Sequence, residues 1–392
     1  MHGTLPWILL IATAALLIIQ LFVVLGSFRH LLDHDELPAF GGQGPFISVI
    51  VPVRNEAEHL PELLDDLRSQ EYPTDRFEVI VVDDGSEDST LAKAQRFERA
   101  GFSVVQLLGA VGKKAAIELG VEHAKGALIV ITDADARCGP LRLKTIARAW
   151  QRAPFDMLLM PINVGSNGSL LEELQANEQA GFMAVAIASA RAGRAVLANG
   201  ANLAFRRSVF EALHGFDGNR HIASGDDMFL LEKMRSANKT VTSLAVPEVV
   251  VMVAPAINWR SFLQQRLRWA GKMKAVRFGA MSLLPLSALL IPVLLWMCTL
   301  HSAVPWRVAP LLWCAWLIPL VVLVTSANGT VGRKASPFSI AMHLVLFSIY
   351  APVIALVSAF FRPRWKGRTA QNGRSSSPST AGASAIVGGG AA

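Results

Sequence analysis

The sequence predicts an α/β domain with a mainly parallel sheet, joined to transmembrane helices. Three observations predict it. Between residues 46 and 255, short β-branched apolar runs alternate with helical patterns, as strands do when helices carry the crossovers. Acidic residues follow three of those runs. Four charge-free apolar stretches, 5–28, 278–300, 308–325 and 338–361, flank the region. Each can cross a hydrocarbon core about 30 Å thick at ~1.5 Å per residue. With 392 residues, 52% hydrophobic and only 17% charged, the chain does not read as a fully soluble protein.

Stretch 5–28 reads as an uncleaved anchor. It lacks a basic segment before it and a small-residue cleavage site after it, so a signal peptide is disfavoured. Residues 47–53 (ISVIVPV) form a short continuous apolar run, expected as a buried parallel strand. A helix is expected over 56–70, with Leu60, Leu63, Leu64 and Leu67 on one face. Strand 77–82, helix 88–100, strand 103–107, helix 113–125 and strand 127–132 follow. Ser224-Gly225-Asp226-Asp227 opens a helical run over 228–235. Residues 256–277 read as an amphipathic interface helix, 278–361 as a membrane region of about three helices, and 373–392 as a disordered Gly/Ser/Ala tail.

Arg29 and His30 after the anchor, and Arg266, Arg268, Lys272, Lys274 and Arg277 before the next span, place the domain on the inner side. The expectation is a multi-pass protein of the cell (inner or plasma) membrane with a cytoplasmic catalytic domain. A tail carrying Arg362, Arg364, Lys366 and Arg368 would emerge outside if all three last stretches span. Pro285 and Pro292 make 278–300 the best candidate for an incomplete span.

Several classes are excluded. Three cysteines and no CxxC pair give neither a disulfide scaffold nor a structural zinc site. The net charge of +7 gathers beside apolar segments, so no nucleic-acid partner is expected. Neither GxGxxG nor GxxxxGK[ST] is present.

In a parallel sheet of this kind, ligands bind beyond the C-terminal strand ends. Those ends carry Arg54-Asn55-Glu56, Asp83-Asp84-Gly85-Ser86 and Asp133-Ala134-Asp135. Turn formation and capping would explain any one of them, but not three on one edge. Asp133 and Asp135, one residue apart at a strand end, suit Mg²⁺ or Mn²⁺ together with substrate phosphates. Asp226 and Asp227 read either as first-turn acids of a helix or as a general base and its neighbour.

The pieces ISVIVPVRNE, VIVVDDGSEDST, GKKAAIELG, ITDAD, NGANLAFRR, GDDMFL, QRLRW and RWKGR occur in that order. Together they resemble a membrane-bound family 2 glycosyltransferase of the GT-A (nucleotide-diphospho-sugar transferase) fold, within the cellulose synthase/ceramide glucosyltransferase-like superfamily. The resemblance implies nucleotide binding by Glu56, Asp83 and Asp84, and a nucleotide or phosphate contact at Lys113. It also implies a metal and sugar-diphosphate site at Asp133 and Asp135. Asp227 would be the catalytic base with Asp226 beside it. Gln265, Arg268 and Trp269 would form a QxxRW motif near the donor diphosphate and acceptor. Ala136, where other branches carry a larger residue, departs from the pattern.

The implied reaction is inverting transfer from a nucleotide-sugar, by default a UDP-sugar, to a membrane lipid or glycan acceptor at the lipid bilayer. A lipid alcohol is favoured, because the interface helix would place the site at the headgroup plane and few spans are available to enclose a growing polymer. A processive polysaccharide synthase is the alternative within the class. A non-catalytic sugar-nucleotide-binding membrane subunit is the alternative outside it.

Overall fold

The computed structural model describes residues 4–33, 35–42, 44–108, 112–220, 222, 225–273 and 283–360, and two short strands beyond them; at 272–273 and 283–286 it describes backbone only. Ser224, residues 274–282 and the tail from 370 therefore lie outside the described residues, as do the side chains of Lys272, Pro285, Arg362, Arg364, Lys366 and Arg368.

The chain opens with α1 (Leu5–Leu31), which extends the apolar stretch that predicts it by three residues, Arg29 and His30 among them. Next come β1 (Ile47–Val53), α2 (Leu60–Arg68), β2 (Phe77–Asp83), α3 (Thr90–Gln95), β3 (Phe102–Gln106), α4 (Lys113–His123) and β4 (Leu128–Thr132). Two expected helices are shorter than predicted by six residues or more, and the helix expected over 113–125 ends two residues early, at His123. The first starts at Leu60 rather than 56, because Asn55 turns the chain at a φ of 51° and Pro61 belongs in a first turn. The helix expected over 88–100 stops at Gln95, where the chain bends back through an Arg99–Phe102 bridge and Gly101 at a φ of 84°.

β5 (Ala136–Cys138), α5 (Arg142–Arg152), β6 (Met157–Leu159), β7 (Ile162–Val164), α6 (Leu170–Arg191), β8 (Asn202–Arg206) and α7 (Arg207–Ala212) form the second half. They lead to α8 (Asp226–Ser236), β9 (Val241–Ser243), β10 (Val251–Val253) and α9 (Trp259–Met273). The apolar helices α10 (Leu283–Leu300), α11 (Val308–Thr330) and α12 (Pro337–Ser358) close the described body. The strands β11 (Arg364–Trp365) and β12 (Arg368–Thr369) pair beyond it.

The main sheet has the order β3-β2-β1-β4-β8-β6-β9. β1 to β4 are parallel, whereas β8 runs antiparallel to both of its neighbours. Strand order reverses between β2 and β4 on either side of β1, which opens a crevice at that end. Strand pleating sends Val49, Val51 and Val53 into the layer under α2 and α5, and Ile50 into the layer under α4 and α8. α4 lies so close that a Cβ on Gly120 would stand 2.6 Å from Ile50 Cγ2. Only glycine fits there.

A third core joins the domain to the apolar helices. The second half of α6, Ala180 to Ile187, packs with Leu17 and Val24 of α1 and Trp316, Leu323 and Val324 of α11. Among the described residues, α1, α11 and α12 are long and apolar enough to cross a membrane, and Ser287–Leu300 is a shorter apolar helix containing Pro292.

The segment from α1 to β1 is held by three arginines. Arg191 donates to the carbonyls of His30 at 2.9 Å and Asp33 at 2.7 Å. Arg152 donates to that of Glu36 at 3.2 Å, and Arg148 to that of Pro38 at 2.6 Å. Asp35, buried, pairs with Arg191 and accepts the Ala245 amide at 2.9 Å. Removing one partner of a buried ion pair leaves the other uncompensated. Asp35→Ala is therefore expected to destabilise the fold by about 3 kcal/mol, read as a lowered thermal midpoint in detergent; an unchanged midpoint would show that the segment is not held this way.

Candidate functional site

The crevice end of the sheet collects the acids expected there. β1, β2 and β4 all finish at this edge, since Val53 pairs with Asp83 and Ile50 with Ile131. β8 enters the sheet from the same edge, because Thr132 at the end of β4 pairs with Asn202 at the start of β8. An antiparallel strand thus delivers the preceding Asn199-Gly200-Ala201 to the site. Arg142, fully buried behind the edge, donates to Thr132 Oγ1 at 2.7 Å and Asn202 Oδ1 at 2.8 Å and ties the two strand ends together.

Asp83 is buried at the end of β2. Its Oδ2 accepts the Ser86 amide at 3.1 Å, while its Oδ1 is buried with no hydrogen-bond partner among the described residues. Such an orphaned carboxylate oxygen is costly unless a donor arrives. Asp84 Oδ1 accepts the Gly112 amide at 2.9 Å. Burial pushes the Asp84 carboxyl up, opposed by that hydrogen bond and by Arg54. Glu56 is half-buried in the loop after β1, and its amide donates to Thr90 Oγ1 at 2.8 Å.

Lys113, at the start of α4, connects the two halves. Its Nζ donates to Asp133 Oδ1 at 2.6 Å and stands 3.3 Å from Asp226 Oδ2. Burial alone would lower its pKa. The charges of Asp133, Asp226 and Asp227 outweigh burial and raise it, so the ammonium stays charged. Asp135 is pushed up to about 6 by burial and by the charges of Asp133 and Glu56. A carboxyl held this high among other carboxylates is one that a cation would favour ionising. The donor set of Asp133 and Asp135 is the hard-oxygen chemistry that suits Mg²⁺ or Mn²⁺.

Asp226 and Asp227 occupy the first turn of α8, where the helix dipole favours negative charge. Gly225, at a φ of 86°, caps that helix in the left-handed region. Asp227 Oδ1 accepts the Met228 amide at 2.8 Å. A Cβ on Gly200 would lie 2.7 Å from Asp226 Oδ2 and 3.1 Å from Lys113 Nζ. NGANLAFRR contains this glycine, yet spacing gives no reason to single it out; only the antiparallel entry of β8 does.

α9 carries Gln265, Arg268 and Trp269. It follows β10, whose Val253 pairs with Ala136, the residue after Asp135. The small sheet β5-β10-β7 therefore sets α9 beside the Asp133–Asp135 loop. Burial lowers the Arg268 pKa, and the fields of Asp133 and Asp135 oppose that shift. Trp269 packs edge-on to Phe182 of α6, with centroids 6.2 Å apart. Arg266 does not behave as a cation at the membrane surface: it is buried and paired with Glu178 of α6. Its position next to an apolar stretch in sequence gave no sign of that partner.

Residues 48–213 match the family described as Glycosyl transferase family 2. The chain is 41% identical over 98 residues to Glycosyltransferase AglE of Haloferax volcanii, which is 24% of this chain and 32% of that one. It is 31% identical over 118 residues to Dodecaprenyl-phosphate galacturonate synthase of Rhizobium johnstonii, 29% of this chain and 35% of that one. The chain thus spans about a third of the length of these relatives. Similarity to Probable glycosyltransferase YdaM of Bacillus subtilis is longer, 25% identity over 293 residues, 69% of this chain and 66% of that one. Among solved structures, the mannosyltransferase PcManGT from Pyrobaculum calidifontis, in complex with GDP-Man and Mn²⁺, shares the fold at a TM-score of 0.59 and 22% identity, over 91% of this chain and 98% of that one.

The close approach at Gly200 is testable. Gly200→Ala should push Asp226 and Lys113 apart and lower any glycosyl transfer at this edge by about tenfold or more, while stability moves by less than about 1 kcal/mol. Turnover kinetics beside thermal unfolding decide it; full activity would mean that the Lys113–Asp226 spacing is immaterial. In strand order and in the acids at the crevice the domain has the GT-A fold, and it is within this fold that residues 48–213 match the glycosyltransferase family 2 model.

Proposed function

We propose that the chain is a membrane-bound inverting glycosyltransferase that moves a sugar from a nucleotide-sugar to a membrane-associated acceptor. The observation that carries this reading is the convergence of three acidic pairs and the Lys113 ammonium on one sheet edge, with Arg268 of α9 beside them. That edge belongs to a domain packed through α6 against apolar helices, which supports an acceptor held in the bilayer and a chain that spans it. UDP-sugars remain the first donor to try, and the GDP-Man in the mannosyltransferase structure adds GDP-sugars to the panel.

In this reading Asp83, with its orphaned oxygen, and Asp84 receive the base and ribose, and Glu56 borders them. Asp133 and Asp135 would hold Mg²⁺ or Mn²⁺; Mn²⁺ accompanies the nucleotide-sugar in the mannosyltransferase structure. When bound, the metal offsets the negative charge of the sugar diphosphate. Asp227 takes the proton of the acceptor hydroxyl. The oxygen then forms a bond to the anomeric carbon as the bond to the nucleoside diphosphate breaks on the opposite face. Lys113 and Arg268 stabilise the departing charge. Gln265 and Trp269 order the acceptor side, and Asp226 holds Lys113 in place.

A second reading has a specific source. Several relatives carry a prenyl phosphate in their names, among them the dodecaprenyl-phosphate galacturonate synthase, an undecaprenyl-phosphate transferase of Pseudomonas savastanoi and a dolichyl-phosphate glucosyltransferase of Mus musculus. A phosphate oxygen is already ionised near neutral pH, so a lipid phosphate needs no base.

The test uses detergent-purified protein, a panel of nucleotide-sugars and either a neutral lipid extract or a prenyl phosphate. Expected is nucleoside diphosphate release that a chelator abolishes and Mn²⁺ or Mg²⁺ restores, with a single-sugar mass shift on the lipid. With a hydroxyl acceptor, Asp227→Asn should lose about 10²–10⁴-fold in kcat; with a prenyl phosphate, a much smaller loss identifies the second reading. A ladder of soluble oligomers would replace both with a polysaccharide synthase. Nucleotide binding without release under any condition would leave a binding subunit.

A further inference from the structure

A second dense group of charged and aromatic side chains lies where α6, α9 and α12 meet. Arg266 of α9 and Glu178 of α6 are both buried, their side chains 6% and 4% exposed. Arg266 Nε donates to Glu178 Oε2 at 2.6 Å, and Nη2 donates to the same oxygen. Tyr350 of α12 donates its hydroxyl to Glu178 Oε1 at 3.0 Å. Both carboxylate oxygens are therefore engaged, one from each neighbouring helix.

The guanidinium is also fixed within its own helix. It lies over the rings of Phe262, 4.2 Å from the centroid, and Trp269, at 4.4 Å. Its Nη1 donates to Gln265 Oε1. One side chain thus touches Gln265 and Trp269 directly. Through Glu178 it reaches the family 2 domain and an apolar helix. Lysine could not replace it, since only a planar fork can pair with a carboxylate and stack between two rings at once.

Helix geometry supplies the consequence. Residues two apart on an α-helix point about 200° from each other. Holding Arg266 against α6 therefore turns Arg268 to the opposite side of α9, toward the loop that carries Asp133 and Asp135. We infer that Arg266 and Glu178 are positioning residues: their pair, with Trp269 packed on the same side against α6, fixes the rotation of α9 that presents Arg268 to the sheet edge, and Tyr350 makes that rotation depend on α12. The inference rests on the transfer reading for its catalytic effect, but not for its structural one.

Wild type, Glu178→Gln, Arg266→Lys, Tyr350→Phe and the double variant Glu178→Leu/Arg266→Leu are compared as full-length protein in detergent. In Glu178→Gln, amide exchange across 262–271 should speed by about tenfold or more, while β1, β2 and β4 keep their protection. Transfer kcat should fall about 100-fold in Glu178→Gln and Arg266→Lys, with nucleotide Kd within about threefold of wild type. Tyr350→Phe should give a smaller kcat loss and no change in thermal midpoint. The double apolar variant should recover the midpoint but not kcat, which a merely structural pair would recover along with it.

Unchanged exchange over α9 in Glu178→Gln, or full kcat in the double variant, would overturn the inference. Wild type that binds nucleotide but transfers nothing would instead remove the transfer reading, and the exchange result would still decide the role of the pair.

Discussion

A crowd of carboxylates at the end of one sheet repels itself, and the Lys113 ammonium makes the arrangement tenable. Asp133 comes from the end of β4 and Asp226 from the start of α8, two elements that a shared apolar layer brings together and whose acids then face each other. The buried cation between them, 2.6 Å from one and 3.3 Å from the other, offsets a repulsion that would otherwise raise carboxyl pKa values or open the edge. The glycine at 200 follows from the same contact, since the backbone there must come close enough to cover the pair.

α6 is the second organising element. Its N-terminal half is buried and polar, with Gln175, Asn177, Glu178 and Gln179; its C-terminal half is small and apolar. The polar half accepts the charges that α9 and the α11–α12 connection bring in, including Arg333, which donates to Asn177 Oδ1 at 2.8 Å and Glu173 Oε2 at 2.6 Å. The apolar half packs on α1 and α11. One helix thus joins two environments through different chemistry at each end.

The first half of the domain was legible in the sequence because its strands are continuous β-branched runs and its helices have a leucine or alanine face. β1, β2 and β4 lie within a residue of the predicted bounds, and the acids after them share an edge as expected. The second half was less legible. β5, β6, β7, β9 and β10 have three residues each, too few to show periodicity, and the antiparallel direction of β8 follows from its pairing with β4 rather than from any local pattern. Arg266 illustrates the same limit. Beside an apolar stretch, a cation reads as a membrane flank, and its partner Glu178 sits in another helix, far away in sequence. Gly200 was quoted within a motif, but its need for close packing is a tertiary fact. Pro61 and Asn55, by contrast, are local signals that place the start of α2, and they were available from the sequence.

The three arginines along the segment between α1 and β1 have a mechanical meaning. A loose tether would let a domain sample many heights and tilts over whatever surface holds the first helix. Here the carbonyls of His30, Asp33, Glu36 and Pro38 are taken up by guanidiniums from α5 and α6, so the first part of the tether is fastened to the domain as a standoff. The sheet edge then keeps a nearly constant distance and angle to the plane in which α1 is set. Reach along that direction is set by the fold rather than by the length of a flexible linker.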